Sequence, residues 1–149
     1  MAEPVLREDV SASEVDAWCA ARISECREIL RGILADTEPR AARNTIDPLN
    51  RLQGILGDTW NAVAALRCVH PVESVRTAAE SSEQAVARFS NDLGLDRGLY
   101  DCIRACDPAG LDPAARRMLE RTLRDFHRAG VDRDEAVRDE VRALREDLV

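Results

Sequence analysis

The chain has 149 residues, the length of one domain, with 45% hydrophobic and 33% charged residues. A fold of this size removes roughly 70% of the unfolded chain's surface from water, so a core can form and a disordered chain is excluded. All 21 basic residues are arginine, against 28 acidic ones and a net charge of −7, which weighs against nucleic-acid binding unless the arginines gather on one face.

Aromatic residues make up 3% of the chain, so packing falls to Leu, Val, Ile and Ala, a composition suited to closely spaced helices. The opening MAEPVLREDVSASE has neither a basic nor an apolar leader region, and no stretch approaches the ~20 apolar residues needed to cross a bilayer. A cytoplasmic protein without membrane association is expected, its residues 1–10 flexible. Cys19, Cys26, Cys68, Cys102 and Cys106 are odd in number and form no CxxC, which fits a reducing compartment rather than a disulfide framework.

In chain order, Ser11 and Glu14 form a capping-box pattern ahead of a helix over about 13–35. Its apolar positions are Val15, Trp18, Cys19, Ile23, Cys26, Ile29, Leu30, Ile33 and Leu34. Pro39 breaks the chain, and Asp47-Pro48 reads as an N-cap with a first-turn proline. The second helix carries Leu49, Leu52, Ile55, Leu56, Val63 and Leu66, with Trp60 on its flank and Gly54 and Gly57 weakening its middle.

His70-Pro71 ends that helix. A third starts near Pro71, buries Val75, Ala78, Ala79, Ala85, Val86 and Phe89, and closes at Gly94 in a left-handed cap. Asp96 caps a short helix with Leu99, Tyr100 and Ile103, and the turn DPAGLDP opens a further helix at Pro113 that Gly130 terminates. The last helix runs from about Asp134 onward with Val137, Val141, Leu144 and Leu148 turned inward. The expected fold is all-α, an antiparallel bundle of about five to six helices without strands, making residues 1–149 a single helical domain.

The arginine-rich stretch RTLRDFHRAG at 121–130 is the first place to look for chemistry. Met118, Leu119, Leu123 and Phe126 form the inner line of its helix, which leaves Arg117, Arg121, Arg124 and Arg128 on the solvent arc. Glu120 and Asp125 stand in reach of them and cancel their field, each pair adding only ~0.3–0.5 kcal/mol. His127 and His70 lie far apart in sequence, whereas a zinc peptidase needs two imidazoles on one helical face with a glutamate as base. Cys102 and Cys106 are one helical turn apart, but lack a second ligand pair and read as small buried hydrophobes. No phosphate loop or GxSxG elbow is present, so the residues supply no catalytic, cofactor-binding or metal position.

Four segments, NTIDPLNRL at 44–52, VHPVESVRTAAE at 69–80, LDRGLYD at 95–101 and RTLRDFHRAGVDRDEAVRDEVRALREDLV at 121–149, together resemble the N-terminal region of thimet-oligopeptidase-like zinc metallopeptidases. The resemblance covers most of the chain from about residue 10. It implies a helical enzyme of several hundred residues whose two lobes flank a deep channel that admits short peptides and excludes folded proteins. Zinc, activating water with a glutamate as general base, would be held by a C-terminal HExxH region that this sequence does not contain. None of the family's catalytic or metal residues can be placed here. The resemblance makes the C-terminal catalytic region the partner, and short peptides the substrates, of the complete enzyme.

The ending LREDLV points the same way, because Asp147 opposes the helix macrodipole and no cap comes after it. If Val141, Leu144 and Leu148 are exposed, a missing lobe or a homodimer through that face is expected. The competing reading is a stand-alone helical interaction module without enzymatic activity, recognisable by a contiguous exposed apolar patch.

Overall fold

The computed structural model describes residues 5–146 as six α-helices, with no strand among them. They are α1 (Ala12–Ala35), α2 (Ile46–Val69), α3 (Glu73–Gly94), α4 (Arg97–Arg104), α5 (Pro113–Ala129) and α6 (Glu135–Glu146). The expectation of an all-α bundle holds. None of the described helices is long and apolar enough to cross a membrane.

Two clusters of buried side chains fix how the first three helices run. Val15 near the start of α1 packs with Ala62, Val63 and Leu66 late in α2 and with Val75, Ala78 and Ala79 early in α3. Ile33 near the end of α1 shares the larger cluster with Leu49 and Leu52 early in α2 and with Phe89 and Leu93 late in α3. α2 is therefore antiparallel to both α1 and α3. α4 and α5 complete the larger core with Leu99, Ile103, Leu119 and Phe126. Val5 and Val10, each 3% exposed, belong to the smaller core, so residues 5–10 lie as a strap over that end.

Local chemistry accounts for most of the boundaries. Ser11 caps α1 reciprocally with Glu14: the Ser11 hydroxyl accepts the Glu14 N–H, and the Glu14 carboxylate accepts the Ser11 N–H at 2.8 Å. The Ser11 hydroxyl, which also donates to the Glu14 carboxylate at 2.6 Å, and after it the Ser11 N–H hold the Glu14 carboxyl below its ordinary range, with a smaller contribution from Arg7. Asp96 caps α4 by accepting from Leu99 N at 2.8 Å, and Asp112 caps α5 by accepting from the N–H groups of Ala114 and Ala115. Gly130 at φ 89° closes α5, as expected, and lets both its own N–H and that of Val131 reach the Phe126 carbonyl.

Five expectations need correction. α2 starts at Ile46, with Thr45 and not Asp47 as N-cap, because a 3₁₀ turn (Ala42–Asn44) runs straight into it and buries Thr45 completely. Pro48 then stands third in the helix, where its missing N–H still costs nothing. α3 begins at Glu73, two positions after Pro71. Gly94 is helical rather than left-handed: the cap falls on Leu95 at φ −109°, whose N–H bonds back to Asp92, and Asp96 opens α4 at once. Leu34 is 39% exposed and lies against Gly98, since α4 crosses only the margin of α1 there. On α6, Val137 and Leu144 are 38% and 58% exposed instead of inward, because α6 rests chiefly on α3 and has one flank uncovered. Leu148 lies outside the described residues.

Candidate functional site

Over the larger core, α2, α3 and α5 diverge and leave a groove of about 760 Å³. Leu49, Leu56 and Trp60 wall it from α2, Val86 and Leu93 from α3, and Phe126 from α5. The wall residues Leu49, Leu56, Val86, Leu93 and Phe126 are core positions, whereas Trp60 stands 40% exposed at the rim. Gly57 also lines the groove, and a Cβ added there would meet nothing within 4 Å, so the α2 wall is low beside the tryptophan.

The polar groups of this groove are Gln53, Ser90, Asn91, Thr122 and Asp125. Asp125 already lies 3.8 Å from both Arg121 and Arg128. No activated nucleophile stands among them. Through Gln53, Thr122 and Asp125 the groove continues into a polar hollow of about 940 Å³ between the early turns of α2 and α5, where Asp47, Arg117 and Arg121 are found. The groove is apolar along its walls and polar at one end, and its lining residues include no nucleophile paired with a base.

The arginine stretch behaves as its periodicity suggests. Arg117, Arg121, Arg124 and Arg128 are exposed, and Thr122 and Phe126 are buried on the opposite side. Among the described residues no ion pair joins Glu120 to Arg124. His127, by contrast, enters a connection that the sequence did not disclose. Its Nδ1 lies 3.3 Å from the Asp132 carboxylate and its Nε2 3.3 Å from the Tyr100 hydroxyl, so a neutral ring donates to Asp132 and accepts from Tyr100. The His127 contact holds the Asp132 carboxyl below its usual range. Arg97 and Arg104 lie over the Tyr100 ring at 5.2 and 5.6 Å, and both pair with Asp101. The three linked groups come from α4, the end of α5 and the turn after it, which no local pattern could join.

His70 is 5% exposed and fully engaged: Nε2 donates to the Glu8 carbonyl at 3.1 Å, and Nδ1 accepts the Val72 N–H at 3.3 Å. Cys106 is buried and Cys102 half-buried, and their nearest mutual bond runs from the Cys106 thiol to the Cys102 carbonyl at 3.7 Å. Burial pushes both thiols up, away from the thiolate a metal needs. Among the described residues, no three His, Cys, Asp or Glu side chains converge. The described residues present no set that fits a zinc site.

A family model described as Neurolysin/Thimet oligopeptidase, N-terminal domain, matches residues 21–138. The chain is similar to oligopeptidase A of Salmonella typhimurium, 26% identical over 113 residues that make up 73% of this chain and 17% of that protein. It is similar to mitochondrial intermediate peptidase 1 of Cryptococcus neoformans, 31% identical over 70% of this chain and 14% of that protein. Against the chloroplastic and mitochondrial organellar oligopeptidase A of Arabidopsis thaliana it is 22% identical over 95% of this chain and 18% of that protein. The chain thus spans less than a fifth of the length of these relatives.

Proposed function

This chain belongs to the neurolysin and thimet oligopeptidase family, and on that premise we propose that it is the N-terminal helical part of a zinc metallo-oligopeptidase. Its helices form one wall of a channel that limits substrates to short peptides. A C-terminal catalytic region holds the zinc and carries the chemistry. The observation that carries this reading is the family match along residues 21–138, in a chain whose two histidines are both engaged in internal hydrogen bonds. The exposed Val137 and Leu144 on α6 support it, since a further lobe would cover them.

The 149-residue chain alone is inactive on this reading. Purified protein incubated with zinc and a quenched fluorescent peptide of about ten residues is expected to give no cleavage above buffer. Zinc-dependent turnover that survives repurification would overturn the assignment.

A stand-alone interaction module is the second reading, and Trp60, 40% exposed at the groove rim, is the observation that favours it. The downstream coding sequence separates the two: an in-frame HExxH supports the peptidase, and a stop codon after Val149 supports the module. We place the protein in the cytoplasm, which the five unpaired cysteines support. Fractionation that recovers it in an organelle, as the names of some relatives suggest for those proteins, would correct this.

A further inference from the structure

We propose that His70 is a pH-sensitive latch, which holds the strap at residues 5–10 while its ring is neutral and releases it when the ring takes up a second proton.

The hydrogen bonds specify one form of the ring. The Glu8 carbonyl can only accept, so Nε2 carries the proton; the Val72 N–H can only donate, so Nδ1 must keep its lone pair. The ring is buried, and water does not stand in for either partner. A second proton would sit on Nδ1, facing the Val72 nitrogen 3.3 Å away. Two N–H donors then oppose each other, and a backbone amide cannot turn round to accept. His127 is the opposite case. Its Nδ1 faces the Asp132 carboxylate and its Nε2 faces the Tyr100 hydroxyl, which can rotate and accept, so a charged ring there keeps both bonds.

The charged groups around His70 do not relieve the conflict. Among the described residues no carboxylate pairs with the ring. α3 brings Glu73 and Arg76, and the Arg76 guanidinium donates to the His70 and Pro71 carbonyls at 2.9 and 2.8 Å, which fixes a positive charge beside the residue. The strap brings Arg7, Glu8 and Asp9, and α1 brings Glu14; Arg7 pairs with both Asp9 and Glu14. α2 brings Arg67, paired with Glu83 of α3, and the exposed Cys68. The Glu14 carboxyl is held below its ordinary range, so the link from Arg7 to α1 persists through the interval in which imidazoles titrate, ordinarily roughly two units above carboxylates. That leaves the ring as the trigger.

The strap has little else of the backbone to hold it. Its Arg7 and Val10 N–H groups bond to the Val5 and Arg7 carbonyls within the strap and add nothing to its grip on the bundle. Once the Glu8 carbonyl is let go, Val5 and Val10 lift from the smaller core and uncover Val15, Val63, Leu66 and Val75, beside Val69 and Val72, which are exposed already. The sign follows from the bound form: the strap is held at neutral pH and loosened as pH falls.

Hydrogen exchange on the full chain at pH 7.5 and 5.5, each amide referred to its intrinsic rate at that pH, tests the latch. Protection of the Val72 and Val10 amides is expected to fall about tenfold or more at the lower pH, while Leu49 and Leu52 keep theirs. His70→Gln retains a side-chain N–H for the Glu8 carbonyl and takes up no proton in this range, so its protection should be the same at both pH values. His127→Gln should loosen like the wild type, and its single remaining imidazole signal should titrate over the interval in which Val72 loses protection. Equal protection of the wild type at both pH values overturns the proposal. So does an equal fall in His70→Gln, which moves the trigger to the carboxylates, or a His70 ring that titrates while Val72 stays protected.

Discussion

Cys26 has no exposed surface, and its thiol faces the Leu52 carbonyl at 3.8 Å. Burial disfavours the thiolate and pushes the thiol up to about 11 from an ordinary 9.0. Below pH 9 both folded and unfolded chains keep this proton, so it has no effect on stability. Between 9 and 11 the unfolded chain loses it first, and stability falls by up to about 2–3 kcal/mol. Alkaline urea titrations of Cys26→Ala are expected to lack this part of the slope; an unchanged slope would show that Cys26 is not its source. Cys68 is the contrasting case, exposed on α2 while Cys19, Cys26 and Cys106 are buried. Ellman's reagent at neutral pH is expected to react fast with one thiol per chain, and with none in Cys68→Ser. The sequence showed that all five cysteines lacked a disulfide pattern; Cys68 meets solvent because it stands two residues past Leu66, turned about 200° from it and off the buried stripe of α2.

At the scale of elements, end chemistry can be tested one cap at a time. Ser11→Ala removes a capping box and is expected to lower stability by ~1 kcal/mol, measured by denaturant melts. Because the Glu14 carboxyl is held low by Ser11, the cap's contribution is present above the ordinary carboxylate range and is lost as pH falls through the depressed value. Glycines separate more sharply. Gly130→Ala forces a side chain into the left-handed region and is expected to cost about 1–2 kcal/mol, whereas Gly32→Ala within α1 meets no neighbour and should stabilise by up to ~1 kcal/mol. Gly94 and Gly130 looked alike in sequence, since both stand at the end of an apolar helical stripe. Their C-terminal neighbours set them apart: Asp96 restarts a helix two residues after Gly94, while Val131 turns back under Gly130 to complete the cap. Periodicity made the helices legible along one axis only. The groove arises where three of them diverge, so Trp60 could be read as a flank residue but not as a rim.

For the whole molecule, the bundle has a larger core reaching α5 and a smaller one at the end where α2 meets α3, none of whose buried residues lines the groove. The smaller core is sealed by the strap at residues 5–10. Val5 and Val10 fill it, and the buried imidazole of His70 ties the strap down by donating to the Glu8 carbonyl while accepting the Val72 N–H. Removing residues 1–10 uncovers this end. Each valine contributes at most about 2 kcal/mol, and ordering the strap offsets part of it, so a net loss of roughly 2–3 kcal/mol is expected. For a chain of this length that corresponds to a melting temperature lower by about 5–10 °C. His70→Ala should reproduce part of the loss, since it leaves the Val72 N–H and the Glu8 carbonyl without their partner. Hydrogen exchange gives the sharper reading: amides at Val63 and Leu66 should exchange faster in the truncated chain, and those at Leu49 and Leu52 should keep their protection. Equal loosening at both ends would mean that the two clusters open as one cooperative unit, and that the strap stabilises the entire bundle rather than its own end.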